Sequence, residues 1–471
     1  MKEKSSYRYL LKNVGLLTIS SFTTKILSFF LVPLYTSILT TSEYGVFDIY
    51  NATIGVLIPI LTLDIRDAVI RFAMDRKADT DSLVTIAAKY LLISNSIVGS
   101  FLIVNNCFRW IPVIASYSIY FGLMFLSQSL VGVLASYTRG IDKIREMSVS
   151  SVLSSIVMIG CNILFLVVFR WGLRGYFGAS ILGGLFQCVY LLYKCDVTKS
   201  IKISAYSRVK EKDMLSYSMP LIANCIAWWV NTVSDRYIVV FFCGLAETGI
   251  YSVAGKIPSI LNIFQGIFSQ AWALSAVKDY DPEDKNGFFS NLYRAYNCML
   301  VILCSFVILL NKILASFLYS KDFFTAWRYV PWLTIAIVFG ALKGFFCGIF
   351  VVVKASGITA KCTIVGAITN LVINIALTPF WGPMGAAIAT ALCYIVVWSM
   401  TLYHSKMFIR FKMNLIRDIL SYVNLVVLAI LNISLNGYAM YIALCIGVLI
   451  NIMLYYKDIC FFMNKVVKKN V

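Results

Sequence analysis

Apolar stretches of roughly twenty residues, separated by short polar or basic segments, run through the whole 471-residue chain. A helix crossing the hydrocarbon core of a bilayer needs about 20 mainly apolar residues, and that ruler picks out fourteen segments. Six fall at 13–38, 46–65, 83–105, 111–137, 149–169 and 176–193. Six more fall at 217–244, 250–277, 292–310, 327–353, 359–379 and 384–403, and a final pair lies at 415–435 and 437–456. An unpaired backbone group in lipid costs several kcal/mol, and a helix satisfies its own. The pattern therefore predicts an all-α membrane protein of about 14 transmembrane helices.

Composition agrees: 60% of residues are hydrophobic, 13% are charged and the mean hydropathy is +0.82, against roughly 25% charged residues in soluble domains. A water-soluble reading is excluded. The net charge of +19 needs no nucleic-acid partner, because it is distributed as positive-inside loops. Arg66, Arg71, Arg76 and Lys77 fall in one loop, Arg139, Lys143 and Arg145 in another, and Lys406, Arg410, Lys412 and Arg417 in a third. On this assignment about thirty of the 41 basic residues face the cytoplasm. Both termini are expected there, and the basic residues 1–12 read as leading into a retained first span. Trp110, Trp171, Trp327, Trp332 and Trp381 fall near the opposite helix ends, as an interfacial aromatic belt requires.

Two short patterns recur. Ser42-Glu43-Tyr44-Gly45 returns as Ala246-Glu247-Thr248-Gly249, and Trp171-Gly172 returns as Trp381-Gly382, at offsets of 204 and 210 residues. The offsets predict two parallel six-helix repeats: an N-terminal lobe at 1–195, a basic cytoplasmic linker at 196–212 that can lie on the leaflet as an amphipathic helix or stay solvated, and a C-terminal lobe at 213–406. Residues 407–471 add helices 13 and 14 with a cytoplasmic tail. Two six-helix blocks entering from the same side are the arrangement of alternating-access carriers.

Chemistry is sparse. The thirteen cysteines lie mostly in apolar stretches without C-x-x-C spacing, and His404 is the only histidine, so metal-ligand and triad arrangements are poorly supplied. No catalytic residue, metal or cofactor is expected; a coupling ion, H+ or Na+, is left open. What stands out is polarity inside the spans. Lys or Arg at mid-membrane costs roughly 2.5–3.5 kcal/mol even on mild scales, so Lys25, Lys256 and Lys343 need a partner or a wet cavity. With Arg66, Arg71 and Arg236 they make a cationic set suited to phosphate or diphosphate. Helical spacing adds polar faces from Ser21, Ser28, Asn51 and Asp64 in the first half, and from Asn224, Trp228, Asn231 and Asp235 at the seventh span. Ser259, Asn262, Asn370 and Asn374 complete them. Asp67 and Arg71, four residues apart, are spaced to pair, and adjacent Asp235 and Arg236 are a second structural couple. Trp228 and Trp229 can stack on sugars or pack between helices.

The chain resembles Wzx-type polysaccharide repeat-unit flippases of the multidrug/oligosaccharidyl-lipid/polysaccharide exporter superfamily. The resemblance covers the whole chain and rests on the basic start leading to Asn13, on Leu63-Asp64-Ile65-Arg66-Asp67, on Asp235-Arg236-Tyr237-Ile238, and on Glu247-Thr248-Gly249-Ile250 leading to Lys256. It implies a V-shaped MATE/MurJ-like bundle with a last helix pair beside the lipid tail. It also implies transfer of undecaprenyl-diphosphate-linked oligosaccharide across the bacterial inner membrane, for O-antigen or capsule synthesis. The implied partners are the polyprenyl-diphosphate-linked oligosaccharide, membrane lipid, and a polysaccharide polymerase with its chain-length machinery. Rival readings are a multidrug or cation antiporter of the same fold, and a membrane polymerase or acyltransferase.

Overall fold

A computed structural model gives the fold and describes Gly15 and residues 20–75, 78–278 and 280–467. The basic N-terminal stretch, Arg76 and Lys77 lie outside the described residues. No strand occurs among those described. Seven helices come first: α1 (Ser20–Ile38), α2 (Thr41–Leu61), α3 (Ile65–Ala73), α4 (Thr80–Phe108), α5 (Ser118–Gly140), α6 (Ile144–Val168) and α7 (Gly172–Lys194). The long α8 (Arg208–Ala254) is followed by α9 (Ser259–Lys278), α10 (Phe288–Leu318), α11 (Val330–Val352), α12 (Ser356–Trp381), α13 (Pro383–Ser405), α14 (Leu415–Ser434) and α15 (Gly437–Val467). The chain forms two compact units, Met1–Trp229 and Val230–Val471, and the division falls within α8.

Among the described residues thirteen helices are long and apolar enough to span a bilayer; the protein is a multi-pass membrane protein. The eighth apolar segment, expected to be continuous over 250–277, is broken once: the helix that resumes after the kink at Gly244 ends at Ala254, the chain turns over 255–258, and α9 runs on from Ser259 to Lys278. Three-residue bonds replace helical ones here, from Lys256 N to Val253 O at 2.9 Å and from Leu261 N to Pro258 O at 2.9 Å. Pro258 has no amide hydrogen to continue a ladder, and hydropathy is blind to that.

The two sequence echoes mark backbone breaks at matching positions in each unit, by different devices at the first echo and the same one at the second. Thr40 caps α2, accepting from Glu43 N at 3.2 Å, while the Glu43 carboxylate accepts from Thr40 N at 2.8 Å. At the matching position, 204 residues on, Gly244 takes φ +86° and the helix resumes with Glu247 in its first turn. Gly172 and Gly382, the glycines of the other echo, sit at φ +56° and +57°, a region where a side chain is strained. A third pair is invisible in sequence. Asp142 (φ +63°) and Lys354 (φ +56°) end α5 and α11 with the same six-residue bond, Lys143 N to Thr138 O and Ala355 N to Phe350 O.

Residues 196–212 are not one amphipathic helix. They form short turns, Val197–Ser200 and Ile203–Ala205, before α8 begins. Polar pairing explains the break: Lys202 N donates to Thr85 Oγ1 at 3.1 Å, and its ammonium lies 2.6 Å from Asp81. Lys89 of α4 meets Glu211 at 2.7 Å, and Tyr90 and Tyr206 donate to the same carboxylate. Beside Lys199, Asp196 is held below the usual carboxylate range.

In the second unit, α10, α14 and α15 share a buried polar network. Asp458, with no exposed surface, pairs with Arg294 and Arg417, and Arg417 also lies 2.9 Å from Asp418. Tyr455 donates to Asp418 at 3.0 Å, and Asn297 Nδ2 donates to Tyr455 at 2.9 Å.

Candidate functional site

In the first unit the polar residues of α1 and α2 serve mostly their own helices. Ser28 donates to Thr24 O at 2.9 Å, and Asn51 donates to Phe47 O at 3.0 Å while accepting from Gln128 of α5 at 3.0 Å. Lys25, Ser21 and Ser28 are exposed, as is Asn224. Trp229 donates its indole N–H to Ala52 O at 2.8 Å, joining α8 to α2, whereas Trp228 is 61% exposed.

Asp64 precedes α3 in a left-handed conformation, fully buried, and accepts from Arg66 Nε at 3.1 Å and Cys225 Sγ at 3.6 Å. Burial pushes its carboxyl above the usual range; the charge of Asp67 adds to this and Arg66 opposes it. Arg71 does not pair with Asp67 as its spacing suggested. It lies 2.8 Å from Asp75, while Asp67 lies 3.7 Å from Arg66. Both acids are four residues from Arg71; Asp67 already shares Arg66, and Asp75, just past the end of α3, takes the other guanidinium.

The second unit builds a tighter constellation. Asp235, 4% exposed, accepts from Asn374 Nδ2 at 2.7 Å, Tyr251 at 2.9 Å and Thr390 at 2.5 Å. Thr378 donates to Asn374 Oδ1 at 2.6 Å, and Ser234 donates to Asn370 Oδ1 at 3.4 Å. Asn231 donates to Thr363 O at 2.9 Å, so α8 is bound to α12 and α13 by polar contacts. Asp235, Arg236, Asn231 and Ser252 line a cavity of about 190 Å³, closed on another side by Gly255 and Pro258. Lys343 lies within electrostatic reach of Cys347, Cys362 and Cys393. Lys256 is half-buried in the turn, with Ser259 donating to its carbonyl at 2.6 Å; Asn262 follows one turn into α9.

The sequence-predicted residues thus separate into two kinds. Asn231, Asp235, Asn370 and Asn374 are brought together. Lys25, Lys256 and Lys343 form no ion pair among the described residues. Tyr251, Thr378 and Thr390, which complete the shell of Asp235 and Asn374, were missed as site residues, although Tyr251 and Thr390 adjoin the two echoes. The first unit fills the matching positions with Phe47 and Ser180. Phe47 packs 4.2 Å from Tyr176 and 5.6 Å from Phe177 between ring centroids. One scaffold is therefore packed with aromatics in one copy and with a carboxylate shell in the other. The hydrogen-bond donors to Asp235 are neutral, and Arg236, which lines the same cavity, lies within electrostatic reach of the carboxylate. No group of three His, Cys, Asp or Glu that could hold a metal occurs among the described residues.

The family profile described as "Polysaccharide biosynthesis protein" matches residues 10–273, more than half of the chain. The chain belongs to the polysaccharide biosynthesis protein family. This family member is 19% identical over 401 residues to the "Probable low-salt glycan biosynthesis flippase Agl15" of Haloferax volcanii, covering 82% of this chain and 81% of that one. Its fold is similar to that of "Lipid II flippase MurJ, inward closed conformation", with a TM-score of 0.68 at 15% identity over 96% of this chain and 99% of the other. It is also similar to an inward-facing multidrug resistance MATE family transporter of the MOP superfamily. There the TM-score is 0.66 at 14% identity, over 83% and 95% of the two chains.

Proposed function

We propose that this protein is a flippase that carries undecaprenyl-diphosphate-linked oligosaccharide repeat units across a bacterial inner membrane by alternating access. The observation that carries the reading is the coincidence of a polysaccharide-biosynthesis family with a lipid-flippase-like fold over 96% of the chain. Lys25, Lys256 and Lys343 supply the phosphate-binding charge in this reading. Arg66 and Arg71, each beside a carboxylate, supply less, and Arg236 stands next to Asp235. Both termini are cytoplasmic, and the export products feed a polymerase and its chain-length machinery. An inside-negative potential favours outward movement of anions by about 2.3 kcal/mol per charge per 100 mV, so roughly two phosphate charges gain about 4–5 kcal/mol.

A deletion strain should accumulate lipid-linked oligosaccharide on the cytoplasmic leaflet; unchanged export there would refute the flippase reading. Complementation with Lys25→Gln/Lys256→Gln should leave membrane insertion intact and abolish export, whereas normal export would remove these lysines from the site. A cation-coupled multidrug exporter is the second reading, favoured by the Asp235 shell and the MATE-like fold. Drug susceptibility of the same deletion strain separates the two.

A further inference from the structure

A cavity of about 870 Å³ opens at the end of the second unit where α10, α14 and α15 meet. Arg294, Lys412, Arg417 and Lys457 line it, and none of its lining residues is acidic. The carboxylates that touch the two arginines, Asp418 and Asp458, are fully buried beneath it. Four cations over two anions leave a net positive mouth.

Arg417 forms the floor. Its side chain is 12% exposed, fixed by Asp418 and Asp458, with its guanidinium 4.4 Å from the Tyr455 ring centroid. A guanidinium held this way loses little freedom when it binds a phosphate oxygen. Lys412 and Lys457 form the rim; both are exposed and form no ion pair among the described residues. The other wall is apolar, made by Leu415, Ile416, Met453 and Leu454. Ile416 and Met453 are each 76% exposed, and the exposed apolar surface continues along the spanning helices through Ile419 and Leu420 of α14 and Leu449 and Ile450 of α15.

We infer that this cavity binds the headgroup of an anionic glycerophospholipid, with its acyl chains lying along α14 and α15. A free phosphate would leave most of this volume and its apolar wall unused. A zwitterionic headgroup would bring a choline cation against a rim of lysines. A phosphodiester with no compensating cation satisfies both walls, as basic pockets between membrane helices do for anionic lipids. The bound lipid bridges α10 through Arg294, α14 through Arg417 and α15 through Lys457, and so fastens the last helix pair to the rest of its unit. Lys256 and Lys343, assigned to cargo above, take no part in the cavity.

The test uses the purified full-length chain in neutral detergent, with phosphatidylglycerol, phosphatidylcholine or inorganic phosphate as probe, read by native mass spectrometry and thermal melting. Phosphatidylglycerol should be retained and raise the melting temperature, while the other two should do neither. Lys412→Gln/Lys457→Gln should bind phosphatidylglycerol about thirty-fold more weakly, the loss of two surface cations, and Lys412→Arg/Lys457→Arg should restore it. Equal retention of phosphatidylcholine, an equal melting shift with inorganic phosphate, undiminished binding by the Gln pair, or no rescue by the Arg pair would each overturn the assignment.

Discussion

Asp458→Asn isolates what holds the last helix pair. The carboxylate is fully buried between Arg294 and Arg417, and removing one partner of a buried pair typically costs about 3–5 kcal/mol because a desolvated charge is left behind. Two features reduce that here. Arg417 keeps Asp418 at 2.9 Å, and Arg294, 37% exposed, can be hydrated. The expected cost is about 2–3 kcal/mol, which for a body the size of Val230–Val471 corresponds to a fall of about 5–10 °C in melting temperature. Melting followed by intrinsic fluorescence in one detergent measures it, with Asp75→Asn as comparison, since Asp75 and Arg71 are more than half exposed and such a pair contributes little. Adding Arg417→Met to Asp458→Asn should deepen the loss, because the fully buried Asp418 keeps Tyr455 but loses the guanidinium it pairs with. Equal melting shifts for Asp458→Asn and Asp75→Asn would refute this account.

Four other changes test the scaffold. Gly172→Ala and Gly382→Ala, at φ +56° and +57°, should each destabilise by about 1 kcal/mol in denaturation, whereas Gly55→Ala, with open space around it, should not. Gly385→Ala should cost about 1–3 kcal/mol, since its Cβ would lie 2.6 Å from the Leu377 carbonyl; unaltered melting would count against the close approach of α12 and α13. Asp64 has a raised carboxyl in the folded state, so its contribution is full below the ordinary value of about 3.8 and declines as pH rises through the raised one. Asp64→Asn should flatten that part of the melting-versus-pH curve, and an identical slope in parent and variant would contradict the assignment.

Much of the architecture was legible because hydropathy reports membrane burial directly. The eighth segment shows the limit: Lys256 and Pro258 interrupt a helix that average apolarity reads as continuous. Helical spacing placed Asp235 on one stripe and Asn374 on another, yet their contact, 139 residues apart in sequence, depends on how α8 meets α12. Arg417 was read as one more loop cation. The signal that it belongs to a buried network was available, since Asp418 and Asp458 are acids set in apolar helices. Arg71 shows the converse: its spacing points to Asp67, yet Asp75 stands at equal spacing on the other side and is the acid it meets.

The interrupted segment at 255–258 has a consequence for mutagenesis. Gly255 and Pro258 border the chamber containing Asp235, so peptide dipoles there join the lining alongside side chains. Alanine scanning deletes side chains and leaves peptide groups in place. A survey by that method would therefore undercount what this face offers to a visiting ion or polar group, and replacing single amide linkages with esters would be needed to reveal the remainder.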